Sequence, residues 1–270
     1  MRFCTFNVHA WEDADGDASR GRVVDLLGGL NCDVIALQES RSAKDGHLSE
    51  LMRLAAELGM QAVEAPAAHG LANALLVRSQ PFSFGTVDLW VPGGEARSAA
   101  WAVVSSPWGS LAAFSTHLDH LREATRVRQL QLLFDAVSAS KSEAIVLGDF
   151  NAIDLADYPE IQRVRIQMQR SRAGLEPARG AEVSAIRGRG WVDLVRLASS
   201  DGVTGYARSL KDPVPKSLRQ TSAYGTRIDY AWATPLLASR SRVSARVIST
   251  DASDHGVVVV DVTPNFAARE

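Results

Sequence analysis

Short β-rich runs recur along the whole chain, and the segments between them switch between helical spacing and tight turns. The pattern predicts strands over 2–7, 33–38, 71–78, 86–91, 98–105, 110–117, 144–147, 226–233, 243–248 and 257–262. Helical spacing fills several gaps, with Val23, Leu27 and Leu30 in 20–30, Leu51, Leu54 and Leu58 in 47–58, and Val127, Leu130, Phe134 and Val137 in 123–139. In "VRSQPFSFG" and "SSPWGS", Pro and Gly interrupt apolar runs as they do in turns between antiparallel strands. A purely parallel, doubly wound sheet does not accommodate that mixture. The expectation is an α/β fold: a four-layer α/β/β/α sandwich of two packed, mixed, mostly antiparallel sheets flanked by helices.

Residues 1–265 read as one domain, with no internal repeat and no linker. The least regular stretch, about 154–225, reads as a variable insertion: "IQRVRIQMQRSRAGLEPARG" predicts a basic helix and loop, and "SLKDPVPKSLRQTSAYG" is rich in turn residues. A chain of 270 residues with 46% apolar residues can bury a sizeable core. Its 29 Lys and Arg against 31 Asp and Glu give no global basic field to attract nucleic acid. Cys4 and Cys32 lie in apolar strand-like runs, where buried free thiols are expected, as suits a reducing compartment. The opening "MRFCTFNV" enters a strand without the charged and long apolar regions of a signal peptide, and no apolar run approaches about 18 residues. A cytoplasmic monomer without a membrane span is the expectation.

The chemistry-bearing residues stand where predicted strands end. "AIVLGDFNAID" carries Asp149 and Asn151 directly after an apolar run. With period two they face one side and place an anionic oxygen beside a carboxamide; Gly, Asp and Asn are equally the residues of a turn. Asn7 closes the first strand, either as a site residue or as an Asx turn. Glu39, after "DVIALQ", is a hard oxygen donor of the kind Mg²⁺ takes, or a solvated charge. His117 closes "AAFSTH", with Asp119 and His120 just beyond; His-x-Asp-His is not a structural zinc spacing. Asp229, among apolar neighbours in "GTRIDYAWA", needs a partner, and His255 in "SDHGVVVV" is a candidate whose tautomer it would fix.

In that order, "TFNVHAW", "DVIALQE", "STHLDH", "IVLGDFNA", "RIDYAWA" and "SDHGVVVV" resemble the endonuclease/exonuclease/phosphatase superfamily, the metal-dependent phosphodiesterases related to pancreatic deoxyribonuclease. The resemblance spans Phe3 to Val262. It implies that Glu39 is the principal ligand of Mg²⁺ or Mn²⁺, with Asn7 and Asp254 beside it. It implies further that Asp149 positions or deprotonates the attacking water and that Asn151 and His117 hold phosphoryl oxygens. His255, paired with Asp229, would stabilise phosphoryl charge or act as acid or base. Asn73 and Arg97 occupy stretches where members carry a site-lining polar residue and an arginine, and a guanidinium grips phosphate well.

The function expected from this resemblance is divalent-metal-dependent hydrolysis of a phosphoester by water. Arg163, Arg165, Arg170, Arg172, Arg179, Arg187 and Arg189 give a polynucleotide a modest advantage as substrate, although they also read as a solvated basic surface. The alternatives are a phosphatase or specialised biosynthetic enzyme acting on a small phosphorylated metabolite or lipid headgroup, and a non-catalytic binding protein on the same fold.

Overall fold

The computed structural model describes residues 1–40, 48–67, 71–200 and 213–265. The beginnings of two expected stretches, His47 and 209–212, lie outside the described residues. The chain begins with β1 (Arg2–Asn7), α1 (Arg20–Leu30), β2 (Val34–Gln38), α2 (Leu48–Leu58), β3 (Gln61–Ala65) and β4 (Asn73–Val77). It continues through β5 (Ser83–Asp88), β6 (Ser98–Ser106), β7 (Gly109–His117), α3 (Glu123–Ala139) and β8 (Glu143–Asp149). The insertion follows as α4 (Glu160–Arg172), α5 (Ala181–Gly188), β9 (Val192–Asp193) and α6 (Leu194–Ser200). The chain closes with β10 (Asp229–Ala233), α7 (Pro235–Ser239), β11 (Ser241–Ile248) and β12 (Val257–Pro264).

The strands form two six-stranded sheets, ordered β11-β12-β1-β2-β4-β3 and β5-β6-β7-β8-β10-β9. Each holds one parallel pair, β1/β2 or β7/β8, and every other pairing is antiparallel. The parallel pairs are the ones joined through α1 and α3, because a parallel neighbour requires a crossover. Leu27 and Leu30 of α1 and Leu51 and Leu54 of α2 pack on the outer face of the first sheet, against Phe6, Ile35 and Leu37. Leu130, Leu133 and Phe134 of α3 and Ile186 of α5 cover the second, against Phe114, Val146 and Trp232. Cys4 and Cys32 are free and buried. Between the sheets the core is rich in alanine, with Ala36, Ala100, Ala102, Ala113, Ala231 and Ala233, so small side chains let the two backbones approach closely.

The period of two sorts each strand cleanly. Phe3 of β1, Val34 and Ala36 of β2, Ala113 of β7, Ile145 and Leu147 of β8 and Ala231 of β10 point between the sheets. Their alternating neighbours point outward to the helices. Leu194 and Val195 of α6 and Leu237 of α7 belong to the inter-sheet core. Glu143, at the start of β8, accepts from the Leu237 amide at 3.1 Å, which places α7 at the end of the sandwich where β8 begins. The opposite end, where β1, β2, β7 and β8 finish, has polar side chains instead.

The strand expected over 226–233 is shorter, because Thr221 and Ser222 turn back on Thr226 by backbone hydrogen bonds and pairing starts only at Asp229. The one expected over 86–91 is shifted to Ser83–Asp88, ending where the Asp88 carboxylate accepts from the Trp90 amide at 2.8 Å.

Candidate active site

Each inward row of side chains ends in a polar residue at the same mouth. Following Phe3 and Thr5, the row on β1 ends at Asn7; following Val34 and Ala36, the row on β2 ends at Gln38, with Glu39 just beyond. On the second sheet the rows end at His117 on β7 and Asp149 on β8, and Asp229 opens the antiparallel β10 at that same end. Register places them side by side: His117 is opposite Asp149, and Asp149 opposite Asp229. Gly148, before Asp149, has φ 152°, and a Cβ there would lie 1.9 Å from the Thr116 carbonyl oxygen, so only glycine allows β8 to approach β7 at this point. The carboxyl ends of two parallel strand pairs thus converge from opposite sheets.

Beneath the mouth the sheets are tied by buried polar contacts. Gln38 Nε2 donates across to Ser115 Oγ at 3.1 Å, and Thr5 Oγ1 donates to Gln38 Oε1 at 3.0 Å. At the mouth, Asn7 Nδ2 lies 3.1 Å from Glu39 Oε1 and 3.3 Å from Asp149 Oδ2, joining the two sheets. Glu39 adopts a left-handed φ of 53°, which turns the chain sharply as β2 ends. "GDFN" is indeed a turn: the Asn151 amide donates to Asp149 Oδ1 at 2.8 Å, and Asn151 has φ 49°. That turn, rather than strand periodicity, brings Asn151 Nδ2 within 3.0 Å of His117 Nε2.

His255 Nδ1 lies 2.9 Å from Asp229 Oδ2, and its Nε2 faces Asp149 Oδ2 at 3.8 Å. Burial works against charge on this ring, but the Asp229 carboxylate and its hydrogen bond outweigh it and raise the imidazolium's pKa to about 10. Burial, with Asp229 nearby, pushes the Asp149 carboxyl up to about 7, against the opposing pull of His255. His117 is held well below its usual value by burial and then by the Arg97 charge, and is therefore neutral. Arg97 Nη1 stands 3.0 Å from His117 Nδ1 while the Asn151 carboxamide nitrogen approaches Nε2. A neutral imidazole accepts at one nitrogen only, so just one of these two contacts is a hydrogen bond to the ring, and Asn151 Nδ2 also donates to the Leu118 carbonyl at 3.0 Å. Asp229 Oδ1 is buried with no hydrogen-bond partner among the described residues.

A family model described as "Endonuclease/Exonuclease/phosphatase family" matches residues 4–255. The chain belongs to the endonuclease/exonuclease/phosphatase family. Its members hydrolyse phosphoesters and usually use a divalent metal. A search of curated proteins finds no match. Among solved structures, an endonuclease/exonuclease/phosphatase from Beutenbergia cavernae superposes with a TM-score of 0.66 at 22% identity, covering 98% of this chain and 71% of that one. The human Nocturnin catalytic domain, solved with a bound sulfate anion, gives 0.65 at 18% identity, over 98% and 93% of the two chains. A mannosyl-6-phosphatase from Bacteroides thetaiotaomicron gives 0.63 at 14% identity, over 97% and 99%. Identities this low show the shared sandwich.

The donors at the mouth fit the metal that endonuclease/exonuclease/phosphatase proteins usually use. Glu39 supplies a partly open carboxylate, a hard oxygen donor suited to Mg²⁺ or Mn²⁺, whereas Asn7 turns its Nδ2 toward Glu39 while its Oδ1 accepts from the His9 amide at 3.0 Å, so its carboxamide would have to rotate to offer a second oxygen. Asp254 lies at the rim, its Oδ1 4.0 Å from His255 Nε2. Asp149, Asp229 and His255 also group their donor atoms within 4.8 Å, but a protonated His255 bound to Asp229 has no lone pair to offer a cation. Asn73 opens β4 at this same end, on the inward row of Leu75 and Val77; its Nδ2 donates to the Ser98 carbonyl at 2.7 Å, and its Oδ1 is buried with no hydrogen-bond partner among the described residues. Asp119 and His120 serve the loop. Asp119 accepts from the amides of Glu95, Leu121 and Arg122, and His120 Nδ1 lies 2.8 Å from Glu95 Oε1.

Two features escaped the sequence. Glu95 Oε2 accepts from Arg97 Nη2 at 2.7 Å and so aims the guanidinium at His117; its "GGEAR" context reads as loop. Arg227, fully buried beside Asp229, binds Asp157 Oδ2 from Nε at 2.8 Å and Asp193 Oδ2 from Nη2 at 2.7 Å. Arg196 extends this network to Asp157 at 2.8 Å, and Arg187 binds Asp154 at 2.6 Å. The basic insertion is accordingly divided: Arg163 Nε bonds the Tyr158 carbonyl, Arg170 Nε the Glu176 carbonyl, and Arg189 lies over Phe134.

Proposed function

We propose that this protein is a divalent-metal-dependent phosphoester hydrolase in which water attacks a phosphoryl group held at the mouth of the sandwich. The observation that carries the reading is the pairing of Asp149, whose carboxyl is raised to about 7, with a charged His255 across 3.8 Å. One group is poised to take a proton near neutral pH and the other to stay positive, as phosphoryl transfer requires. Glu39 and Asn7, with Asp254 at the rim, would hold Mg²⁺ or Mn²⁺, which when bound supplies Lewis-acid charge neutralisation.

The chain's own residues divide the rest. Asp149 orients the water and accepts its proton as the new phosphorus–oxygen bond forms. His255, oriented by Asp229, faces the phosphoryl group with positive charge, and the ester oxygen departs with the bonding pair and takes a proton from solvent, to which Asp149 returns the proton it accepted. His117, Arg97 and Asn151 bind non-bridging oxygens; the approach of Arg97 Nη1 and Asn151 Nδ2 to the two ring nitrogens, each at 3.0 Å, supports that role. The products are a phosphate with one fewer ester bond and an alcohol.

The test is hydrolysis of single- and double-stranded DNA, RNA, phosphoinositides, sugar phosphates and an aryl phosphodiester in Mg²⁺, Mn²⁺ or EDTA. The expected result is metal-dependent cleavage of one class, reduced by a factor on the order of 10² or more in Asp149→Asn. Cleavage that persists in EDTA, or in the Asp149 variant at an undiminished rate, would overturn the reading.

A further inference from the structure

Just after β1 the chain makes a turn that L-residues avoid. His9, Ala10 and Trp11, the last three residues of "TFNVHAW", have φ of 46°, 55° and 67°, all left-handed and none of them glycine. Three such residues in succession carry strain, which persists only where the surroundings over-determine it. Here the surroundings are the chain on either side of Glu39. The amides of Val8 and Ala10 donate to the carbonyls of Gln38 and Glu39 at 3.0 and 3.2 Å. The Trp11 indole Nε1 donates to the Ser40 carbonyl at 2.5 Å. Three successive carbonyls are thus taken by donors from residues 8–11.

Both sides of this contact are anchored. Trp11 is 6% exposed in the apolar cluster of Phe6, Val8 and Leu37, and its carbonyl accepts from the Ser19 amide at 2.9 Å. Ser40 donates to the Ala72 carbonyl from its amide at 2.9 Å and from its hydroxyl at 3.2 Å. Between these anchors stands Glu39, itself at φ 53°, with its carboxylate 3.1 Å from Asn7 Nδ2. The His9 amide donates to Asn7 Oδ1 at 3.0 Å, so the same turn also orients that partner. Glycine would make the turn without strain but would bring no indole N–H. We infer that the left-handed turn His9–Trp11 is a clasp that aims Glu39 into the mouth, and that Trp11 is a positioning residue acting through the Ser40 carbonyl. The inference rests on the phosphoester-hydrolase reading, in which Glu39 is the metal ligand, and adds a residue that touches neither metal nor substrate.

Trp11→Phe keeps an aromatic ring in the apolar cluster and removes the N–H. Calorimetry on the metal-free protein is expected to show Mn²⁺ affinity reduced about tenfold or more, the scale on which groups behind a ligand act. Leu27→Val trims the same cluster from α1 and should lower the melting temperature while leaving Mn²⁺ affinity unchanged. In turnover, the Mn²⁺ concentration for half-maximal rate should rise by the same factor in Trp11→Phe, with kcat at saturating metal held within about twofold. Unchanged affinity in Trp11→Phe, or an equal loss in Leu27→Val, would overturn the inference. A native chain that takes up no metal would count against the hydrolase reading instead, and amide exchange then decides the clasp. In Trp11→Phe the Ala10 amide should exchange about tenfold faster or more while β7 is unaltered, as release of one local contact implies; an unmoved Ala10 amide would overturn the inference.

Discussion

His255 shows how a single side chain's charge is fixed by its surroundings. Burial alone would strip its proton, yet the Asp229 carboxylate at 2.9 Å holds it to about pH 10. In the metal-free protein the ring should remain protonated at pH 8.5 by NMR, and Asp229→Asn should bring its midpoint down by more than one unit; a midpoint near 6.5 in the unsubstituted protein would remove Asp229 from that role. The linkage has a definite sign. A folded value above the unfolded 6.5 contributes stability that is fully present below pH 6.5 and lost as pH rises through 10. Over that window the melting temperature of the native chain should fall toward that of His255→Gln. Glu39 presents the opposite case, a carboxylate in a tight turn with a role beyond packing. Glu39→Gln keeps the contact with Asn7 but removes a charge, so calorimetry should show Mg²⁺ affinity reduced at least about tenfold with little change in thermal stability. Unchanged affinity would exclude Glu39 as a ligand.

At the scale of elements, β10 and the segment after β8 are fastened by Arg227, which sits between Asp157 and Asp193 with no exposed surface. Removing it leaves two buried carboxylates without their main counter-charge. Arg227→Met should therefore destabilise by roughly 3–5 kcal/mol in urea unfolding, as breaking a buried pair does, whereas a loss below about 1 kcal/mol would mean that water reaches the network. Nothing in the local pattern around Arg227 marks it as ion-paired, because its partners Asp157 and Asp193 lie 70 and 34 residues away along the chain. The opposite holds for Asn7, Asp149 and Asp229. Asn7 and Asp149 stand at or just beyond a predicted strand end and Asp229 interrupts an apolar row inside one, so the sequence marks them and the two-residue period explains why they meet. β3 was missed because only Val63 and Ala65 of its five residues are buried. The helices α5, α6 and α7 are short, with too few turns for their spacing to stand out. Asn151 shows how a correct juxtaposition can have another cause: its turn, rather than strand alternation, aims it at His117.

For the whole molecule, the mixture of hairpins and crossovers in the sequence is what two six-stranded sheets with one parallel pair each require. The partition of strands between the sheets was not legible, since it depends on long-range pairing such as β1 with β12. That pairing gives a further prediction. A chain ended after Thr234 lacks β11 and β12, which leaves one edge of β1 open and removes His255. It should elute as aggregate in size-exclusion chromatography and show no metal-dependent turnover, as an unpaired apolar edge implies; a monodisperse, folded product would show that the first sheet closes without them. The same connectivity imposes an order on synthesis. The strands of the second sheet all lie within 83–233, so the ribosome delivers them complete before β11 and β12 emerge. Asn7 and Glu39 are made before the second sheet and wait beside an unfinished one, while His255 follows every strand of that sheet. The imidazolium opposite Asp149 thus arrives only after both halves of the mouth have been made.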